Sequence, residues 1–274
     1  PMYSAIPSLP MTAPKSRSYV DQYRRLILTI LCLFCWAAWA DEAAKEIHDQ
    51  LRMPVQKQVV ALTLDACSGR YDESLIDFLI AHRIPATLFV TKKWLEKNPA
   101  GLATIKAHLD LFDVEDHGEN HIPAVIGLNR KVYGIAGEPD IVHLRKEVVA
   151  GAEAVEAATG VAPRWYRGAT AEYDDVAVEE IQKLGYRIAG FSVNADAGAT
   201  LKKQAIEERL RNIKSGDIII AHMNKPSSDT AEGLAVALTR LLQKGFTFVR
   251  LDEVDVEPVT DLPGNQKAAT KTSK

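Results

Sequence analysis

Polar residues follow short β-branched runs at the points where strands are predicted to end. They are Asp65, His117, Arg167, Asp196 and His222. His117 also precedes His121 by four residues, a spacing at which two imidazoles can bind one zinc-like ion. Such an ion lowers the pKa of a bound water toward about 7 and polarises a carbonyl. Carboxylates and imidazoles beside such an ion are groups that can accept and donate protons, so these strand ends are the expected place of an active site.

The elements that would position these residues alternate between strands and helices from Gln58 onward, which is typical of βα units around a parallel sheet. The predicted strands are Val59–Ala66, Ala86–Val90, Asp113–His117, Trp165–Gly168, Arg187–Val193, Asp217–His222 and Thr247–Leu251. The predicted helices are Glu73–Ala81, Leu102–Leu109, Asp140–Ala158, Asp175–Leu184, Leu201–Lys214 and Thr230–Lys244. The fold class is therefore α/β, a distorted (β/α) barrel of about seven parallel strands. Active sites of such barrels lie at the carboxyl ends of the strands, where the loop Ile122–Pro139 is expected to border a substrate groove.

The chain from about Gln58 to Val254 resembles the polysaccharide deacetylases, which are carbohydrate esterases with a NodB-type domain. Four motifs carry the resemblance. In chain order they are Thr63-Leu64-Asp65-Ala66, His117-Gly118-Glu119-Asn120-His121, Arg167-Gly168-Ala169-Thr170 and the late strand that ends in His222. In the family the first motif is Thr-Phe-Asp-Asp, the second is His-Ser/Thr-x-x-His, and the third is Arg-Pro-Pro-Tyr.

The resemblance implies a metal-dependent deacetylase that removes the N-acetyl group of amino sugars in peptidoglycan, a chitin-like glycan or an exopolysaccharide. The implied cofactor is a divalent metal, zinc or cobalt, and the implied partner is an N-acetylated glycan. The implied roles are metal ligand for His117 and His121, general base for Asp65, support of that base for Arg167, general acid for His222, and orientation of that acid for Asp196.

The third metal ligand of the family is the second aspartate of the first motif, and this chain has Ala66 there. The sequence leaves the replacement open among Asp65, Asp72, Asp116 and Glu119. Cys67 is a further candidate because thiolate suits zinc. Its position one residue beyond Ala66 predicts that its side chain points elsewhere, as a small buried thiol that serine can replace without loss of activity. Ala66 also motivates an alternative function, a catalytically inactive glycan-binding protein of the cell envelope.

Composition and the amino terminus bear on partners and location. The 274 residues carry a formal net charge of −3, and the basic residues are spread out, so neither nucleic acid nor an anionic membrane surface is an expected partner. The segment 11–40 reads as a signal peptide, with basic residues before the apolar run Leu26–Ala38. This predicts a secreted or periplasmic protein without stable membrane insertion after cleavage. The expected domains are 1–40 upstream residues with the signal peptide, 41–57 linker or N-terminal extension, 58–256 catalytic domain, and 257–274 disordered tail.

Overall fold

The structure, a computed structural model, describes residues 44–52 and 57–258. Its strands are β1 Lys45–Glu46, β2 Asp49–Arg52, β3 Val59–Ala66, β4 Ala86–Val90, β5 Phe112–Asp116, β6 Pro123–Ala124, β7 Lys131–Val132, β8 Ile135–Ala136, β9 Trp165–Tyr166, β10 Ala169–Tyr173, β11 Arg187–Ile188, β12 Val193–Asn194, β13 Ile218–His222, β14 Thr247–Val249 and β15 Asp255–Pro258. Its helices are α1 Glu73–Ala81, α2 Lys92–Lys97, α3 Pro99–Lys106, α4 Ile141–Thr159, α5 Asp175–Lys183, α6 Lys203–Arg209 and α7 Thr230–Gln243.

A curled parallel sheet forms the centre of the fold. Its strand order is β11, β9, β5, β4, β3, β13 and β12, and β14 also pairs with the first half of β3. The expected α/β architecture of about seven parallel strands is confirmed. The register between β3 and β13 places Asp65 directly opposite His222, so the carboxyl ends of these strands bring two of the predicted site residues together.

The central strand β3 is buried on both faces. Val60, Leu62, Leu64 and Ala66 pack into the cluster that includes the helices, whereas Val59 and Ala61 belong to a separate inner cluster. Side chains of a strand alternate between the two faces of its sheet. Asp65 therefore lies on the inner face of the sheet with Val59 and Ala61. The same alternation places Cys67, two residues after Asp65, on that face.

The prediction of one strand over Arg187–Val193 is wrong. The segment forms two short strands, because β11 pairs with β9 and β12 pairs with β13. Between them the backbone N–H of Gly190 donates to the Asp49 carboxylate at 2.7 Å, and the N–H of Phe191 donates to the carbonyl of Ile47 at 3.3 Å. The two ends of the segment pair with opposite edges of the sheet, and the amino-terminal residues bond to the stretch that connects them.

Residues 44–52 are part of the fold. Strand β1 pairs with β10, and β2 pairs with β15, both antiparallel. This portion of the predicted linker or extension is therefore an extension that belongs to the domain. Strand β15 reaches Pro258, two residues beyond the predicted domain end. The predicted signal peptide, and the predicted tail from 259 onward, lie outside the described residues.

The helices differ from prediction mainly at their ends. Helix α1 has the predicted bounds, and the Asp72 side chain caps it by accepting the N–H of Leu75 at 3.2 Å. Helix α3 begins at Pro99, a residue suited to the first turn because its missing N–H needs no partner there. Helix α2 was not predicted. No helix among residues 44–52 and 57–258 combines the length and the apolar character that a membrane span requires.

Candidate active site

Asp65 is held by a buried arginine at the end of β3. The Arg167 guanidinium donates to the Asp65 carboxylate at 2.8 Å and to the Thr63 hydroxyl at 2.9 Å. Its other amino group donates to the carbonyl of Gly190 at 2.8 Å, and its plane lies 4.2 Å from the ring centre of Phe89. Every one of these contacts fixes the guanidinium, so the carboxylate has one defined position.

The same neighbours determine the charge of Asp65. Burial raises the pKa of its carboxyl, but the charges of Arg167, His117 and His222 and the hydrogen bond from Arg167 outweigh burial and hold the pKa below its usual value. Asp65 is therefore ionised near neutral pH. An ionised, immobile carboxylate is the form that a general base needs.

His117 follows β5 and is buried. Its Nδ1 lies 2.5 Å from the carbonyl oxygen of Arg167, so it carries the proton of that hydrogen bond, and the lone pair of Nε2 is directed to the other side of the ring. Nε2 lies 3.5 Å from Cys67 Sγ and 3.8 Å from the Asp65 carboxylate. The His121 ring packs edge-on at 4.9 Å between centroids.

Cys67 completes a group of donor atoms. Ligand atoms of Cys67, His117 and His121 all lie within 4.8 Å of one another. The expectation that the Cys67 side chain points elsewhere is wrong. The reason is the alternation of β3: the residue two places after Asp65 continues on the inner face, whereas Ala66 packs among the helices. Counting from Asp65 rather than from the missing aspartate would have found this residue.

The protonation of these groups is set by their mutual contacts. Burial raises the pKa of the Cys67 thiol, but hydrogen bonds with His117, His121 and His222 outweigh burial and bring it well below its usual value. Burial lowers the pKa of His117, but Asp65 and Cys67 together raise it to about 9 when no cation is bound, so a cation at this site would have to displace the proton on Nε2. A thiolate and two imidazoles are the donors that zinc prefers, so the residues present fit a zinc-like cation.

The other acidic candidates for the third ligand lie away from this group. Asp72 caps α1, and Glu119 forms an ion pair with Lys92 at 2.7 Å. The Asp116 carboxylate accepts the N–H of Gly118 at 2.8 Å and lies against Gly151 of α4. None of these three carboxylates belongs to the donor group of Cys67, His117 and His121, so the structure gives Cys67 more support as the third ligand.

His222 ends β13, the strand next to β3, and is oriented by Asp196. Its Nδ1 is 2.9 Å from one oxygen of the Asp196 carboxylate, whose other oxygen accepts the backbone N–H of His222 at 2.9 Å and the Thr230 hydroxyl at 3.0 Å. Burial lowers the pKa of His222, but the hydrogen bond and charge of Asp196, with Cys67, raise it well above its usual value. The ring is therefore a proton donor near neutral pH.

Of the site residues, Asp65, Cys67, His121 and His222 line a cleft of about 760 Å³. Several lining residues of the cleft carry no signal in the sequence, namely Glu46, His48, Phe191, Asn224 and Lys225. Nothing in their local pattern marks them, because they come from the amino-terminal extension and from loops that only the fold brings together. Tyr133 of the predicted border loop also lines the cleft.

Thr170, from the third motif, is a further lining residue with an uncommon backbone. Its φ is 71°, a left-handed conformation that is rare for a β-branched residue, and its buried hydroxyl has no hydrogen-bond partner within the described residues. Strained residues of this kind cluster at functional sites. A positive φ is not visible in a sequence motif that lacks glycine at that position, so this feature required the structure.

A curled parallel sheet whose strand ends present a buried acid, a pair of histidines and an oriented third histidine is the arrangement expected of a hydrolase of the carbohydrate esterase type. Residues 52–189 match the family described as polysaccharide deacetylase. The chain belongs to the polysaccharide deacetylase family, whose members include amide-bond hydrolases, and the resemblance found in the sequence is confirmed.

Among its relatives is a peptidoglycan-N-acetylmuramic acid deacetylase of Bacillus subtilis, which is 26% identical over 228 residues, covering 76% of this chain and 75% of the relative. The solved structure of that B. subtilis protein, a family 4 carbohydrate esterase, has a TM-score of 0.59 at 22% identity, covering 85% of this chain and 88% of that one. The structure of a pseudoenzyme of the same esterase family from Bacillus anthracis also has a TM-score of 0.59 at 22% identity. The match covers 73% of this chain and 66% of that one. The solved structures agree with the fold described above.

Proposed function

We propose that this protein is a metal-dependent deacetylase that hydrolyses the N-acetyl group of amino sugars in a polysaccharide. The observation that carries the proposal is the donor group of Cys67, His117 and His121, whose ligand atoms lie within 4.8 Å of one another at the strand ends. This group adjoins Asp65 at 3.8 Å, and Asp65 in turn stands opposite His222 in the sheet register. Membership in the family supports the same reaction.

Each side chain of the site has a task in such a reaction. A divalent cation, when bound, polarises the acetyl carbonyl and makes a water more acidic. Asp65, ionised and fixed by Arg167, accepts a proton from the attacking water. His222, kept protonated by Asp196, donates a proton to the departing amine. The hydrogen bond from His117 Nδ1 to the Arg167 carbonyl fixes the orientation of the His117 ring. Arg167 thereby contacts both a proposed metal ligand and the proposed base, Asp65.

The substrate is proposed to be an N-acetylated glycan, with peptidoglycan as the first to test because the B. subtilis relative is named for its action on N-acetylmuramic acid. A cleft of about 760 Å³ is large enough for sugar units of a chain. We also propose that the protein is exported, secreted or periplasmic, with 11–40 as its signal peptide, since extracellular glycans of this kind lie outside the cytoplasm.

The test is metal analysis combined with acetate release. Protein purified without chelator is expected to hold about one zinc-like ion per chain and, after reconstitution with zinc or cobalt, to release acetate from peptidoglycan or N-acetylated oligosaccharides. Chelation should abolish release. Cys67→Ala and His121→Ala should each lose the ion and the activity, while His82→Ala, an exposed histidine on another surface, should change neither.

Two results would count against the proposal in different ways. Absence of the ion from the wild type after reconstitution removes the metal-dependent mechanism. Full metal content and activity in Cys67→Ala leaves the enzyme but removes Cys67 as a ligand, and would return that residue to a packing role.

A glycan-binding protein without turnover is the second candidate, and Ala66 favours it because the family's carboxylate ligand is missing at this position. A structurally similar protein described as a pseudoenzyme shows that this fold occurs without activity. Glycan binding that is unaffected by chelator, together with no acetate release from any glycan in the panel, would support this candidate over the enzyme.

A further inference from the structure

The short loop 118–122 connects the two histidines of the donor group and has an unusual backbone. Gly118 has φ 86° and His121 has φ 64°, both in the left-handed region. For a residue with a side chain this conformation costs about 1 kcal/mol or more. His121 therefore keeps its position only if contacts from outside the loop compensate that cost.

One buried side chain supplies such contacts. Glu147 of α4 is 2% exposed. Its Oε1 accepts the backbone N–H of Asn120 at 2.7 Å and that of Ile122 at 3.2 Å, which are the two N–H groups on either side of His121. Its Oε2 accepts the side-chain amide of Asn120 at 3.2 Å, and its carbonyl accepts the N–H of Glu119 at 3.0 Å.

The fit between Glu147 and the loop is close. A Cβ at Gly118 would lie 2.5 Å from Glu147 Oε1, so only glycine permits this approach of the carboxylate to the loop. Hydrogen bonds in which one partner is charged are about twice as strong as neutral ones. A single carboxylate thus fixes the peptide groups on both sides of the histidine.

We propose that Glu147 is a positioning residue for His121: its buried carboxylate holds loop 118–122 in the one conformation that presents the His121 imidazole to the metal beside Cys67 and His117. This inference rests on the proposed metal site. It concerns a residue on a helix that does not touch the substrate cleft, and its effect reaches the metal only through the backbone of the loop.

Two conservative variants of Glu147 distinguish the effect of side-chain length from the effect of its negative charge. Glu147→Gln keeps the length of the side chain and an oxygen that accepts both backbone N–H groups, and its amide meets the Asn120 side chain after that amide rotates. Glu147→Asp keeps the charge but is one methylene shorter, so its carboxylate cannot reach both N–H groups. If Glu147 positions the loop, Glu147→Gln should bind zinc more tightly than Glu147→Asp. If only its charge matters, Glu147→Asp should bind zinc more tightly. Glu153→Ala, on an exposed position of the same helix, is the matched control.

The measurements are zinc affinity, by competition with a chromophoric chelator, and the visible spectrum with Co²⁺, which reports the coordination geometry. Wild type, Glu153→Ala and Glu147→Gln are expected to agree within about threefold, and Glu147→Asp is expected to bind zinc about tenfold or more weakly, the range found when groups that orient ligands are removed. Hydrogen exchange of the Asn120 and Ile122 amides should be faster in Glu147→Asp, and circular dichroism should show that the fold is intact.

The outcomes distinguish the two proposals. If the wild type binds neither Zn²⁺ nor Co²⁺, the proposed function is overturned and this inference with it. If the wild type binds zinc and Glu147→Asp binds it equally well with an unchanged cobalt spectrum, the metal site stands and the positioning role of Glu147 is overturned. Weaker binding by Gln than by Asp would also overturn it.

Discussion

At the scale of single residues, the main chemical departure from the family is Ala66 in place of the ligand aspartate, together with the Cys67 thiol beside His117 and His121. Cys67 stands one residue later than the missing aspartate but on the inner face of β3, within reach of the same two histidines. Thiolate is a softer donor than carboxylate and favours zinc over manganese or magnesium. We therefore expect the metal preference of this chain to be narrower than that of a site with an aspartate ligand.

The pair of Asp196 and His222 gives a prediction at the same scale. Asp196→Asn retains the size of the side chain but places a neutral amide 2.9 Å from His222 Nδ1. The imidazolium then loses its charged partner, so the pKa of His222 falls and a smaller fraction of the ring is protonated to act as the proposed general acid. We expect kcat to fall by about 10²-fold, the lower end of what acid–base catalysis contributes, with zinc content unchanged. Steady-state kinetics on the metal-loaded enzyme measures this.

Thr230→Val is the control for that experiment. It removes the hydroxyl that donates to Asp196 at 3.0 Å but leaves the carboxylate charge in place. The loss of kcat should be much smaller than in Asp196→Asn. Equal kcat in wild type and Asp196→Asn would show that His222 does not depend on Asp196 for its proton.

At the scale of elements, the hairpin formed by β7 and β8 builds one wall of the cleft. Its turn consists of Tyr133 and Gly134, with φ values of 50° and 82°, which is the pattern of a tight two-residue hairpin turn. Tyrosine is a poor residue for such a conformation. It is nevertheless 74% exposed at the cleft, and its hydroxyl is hydrogen-bonded to Glu172. An exposed ring at this place suits stacking on the face of a sugar.

Tyr133→Asn tests the hairpin as a glycan contact. Asparagine adopts this turn readily, so the stability should stay equal or rise by up to about 1 kcal/mol. The KM for a long N-acetylated oligosaccharide should rise about tenfold through loss of the stacking surface, with little change in kcat. Kinetics and thermal unfolding measure the two effects separately.

Leu128→Asn is the matched control, since Leu128 is 86% exposed on the same loop but is not among the residues that line the cleft. Its KM should equal that of the wild type. A wild-type KM in Tyr133→Asn would mean that the ring does not contact the substrate.

At the scale of the whole molecule, the sheet is completed by segments from distant parts of the chain. The amino-terminal extension bonds to the break between β11 and β12, where the Asp49 carboxylate accepts the N–H of Gly190. The carbonyl of Gly190 in turn accepts a hydrogen bond from Arg167. The extension is thus connected through two successive hydrogen bonds to Arg167, the residue that holds the Asp65 carboxylate. The same hydrogen-bond network therefore supports both the fold and the site.

Burial of acids predicts how stability depends on pH. Burial, the negative charge of Glu147 and, more weakly, that of Asp140 raise the pKa of Glu138 from its usual 4.5 to about 7, although His143 opposes them. The folded state therefore keeps a proton that the unfolded state releases near pH 4.5. The contribution of Glu138 to the free energy of unfolding therefore decreases as pH rises from about 4.5 to 7 and then levels off, and the decrease is at most about 3 kcal/mol at about 1.4 kcal/mol per pKa unit.

Glu138→Gln should remove this contribution, because an amide does not titrate. Urea unfolding at pH 5 and pH 7.5 is expected to show a larger loss of stability with rising pH in the wild type than in the variant. The difference between the two proteins isolates Glu138 from Asp116, a buried acid whose pKa is also raised by burial. Identical pH dependence in both proteins would contradict the assignment.

Much of the fold could be predicted from the sequence because it depends on local pattern. The strands Val59–Ala66 and Ala86–Val90 and the helix Glu73–Ala81 have the predicted bounds, since each is a continuous apolar run or an amphipathic period bounded by polar residues. The split of Arg187–Val193 was not predictable in this way, because it arises from pairing with two different strands.

The sequence by itself determined the class of protein: the order of βα units, the polar residue at each strand end and the spacing of His117 and His121 require no three-dimensional information. The tertiary structure alone decided which groups meet. It places Cys67, rather than Asp72, Asp116 or Glu119, in one group of donor atoms with His117 and His121. The physical reason is that side-chain contacts depend on which face of the sheet a residue occupies and on loops held by distant helices.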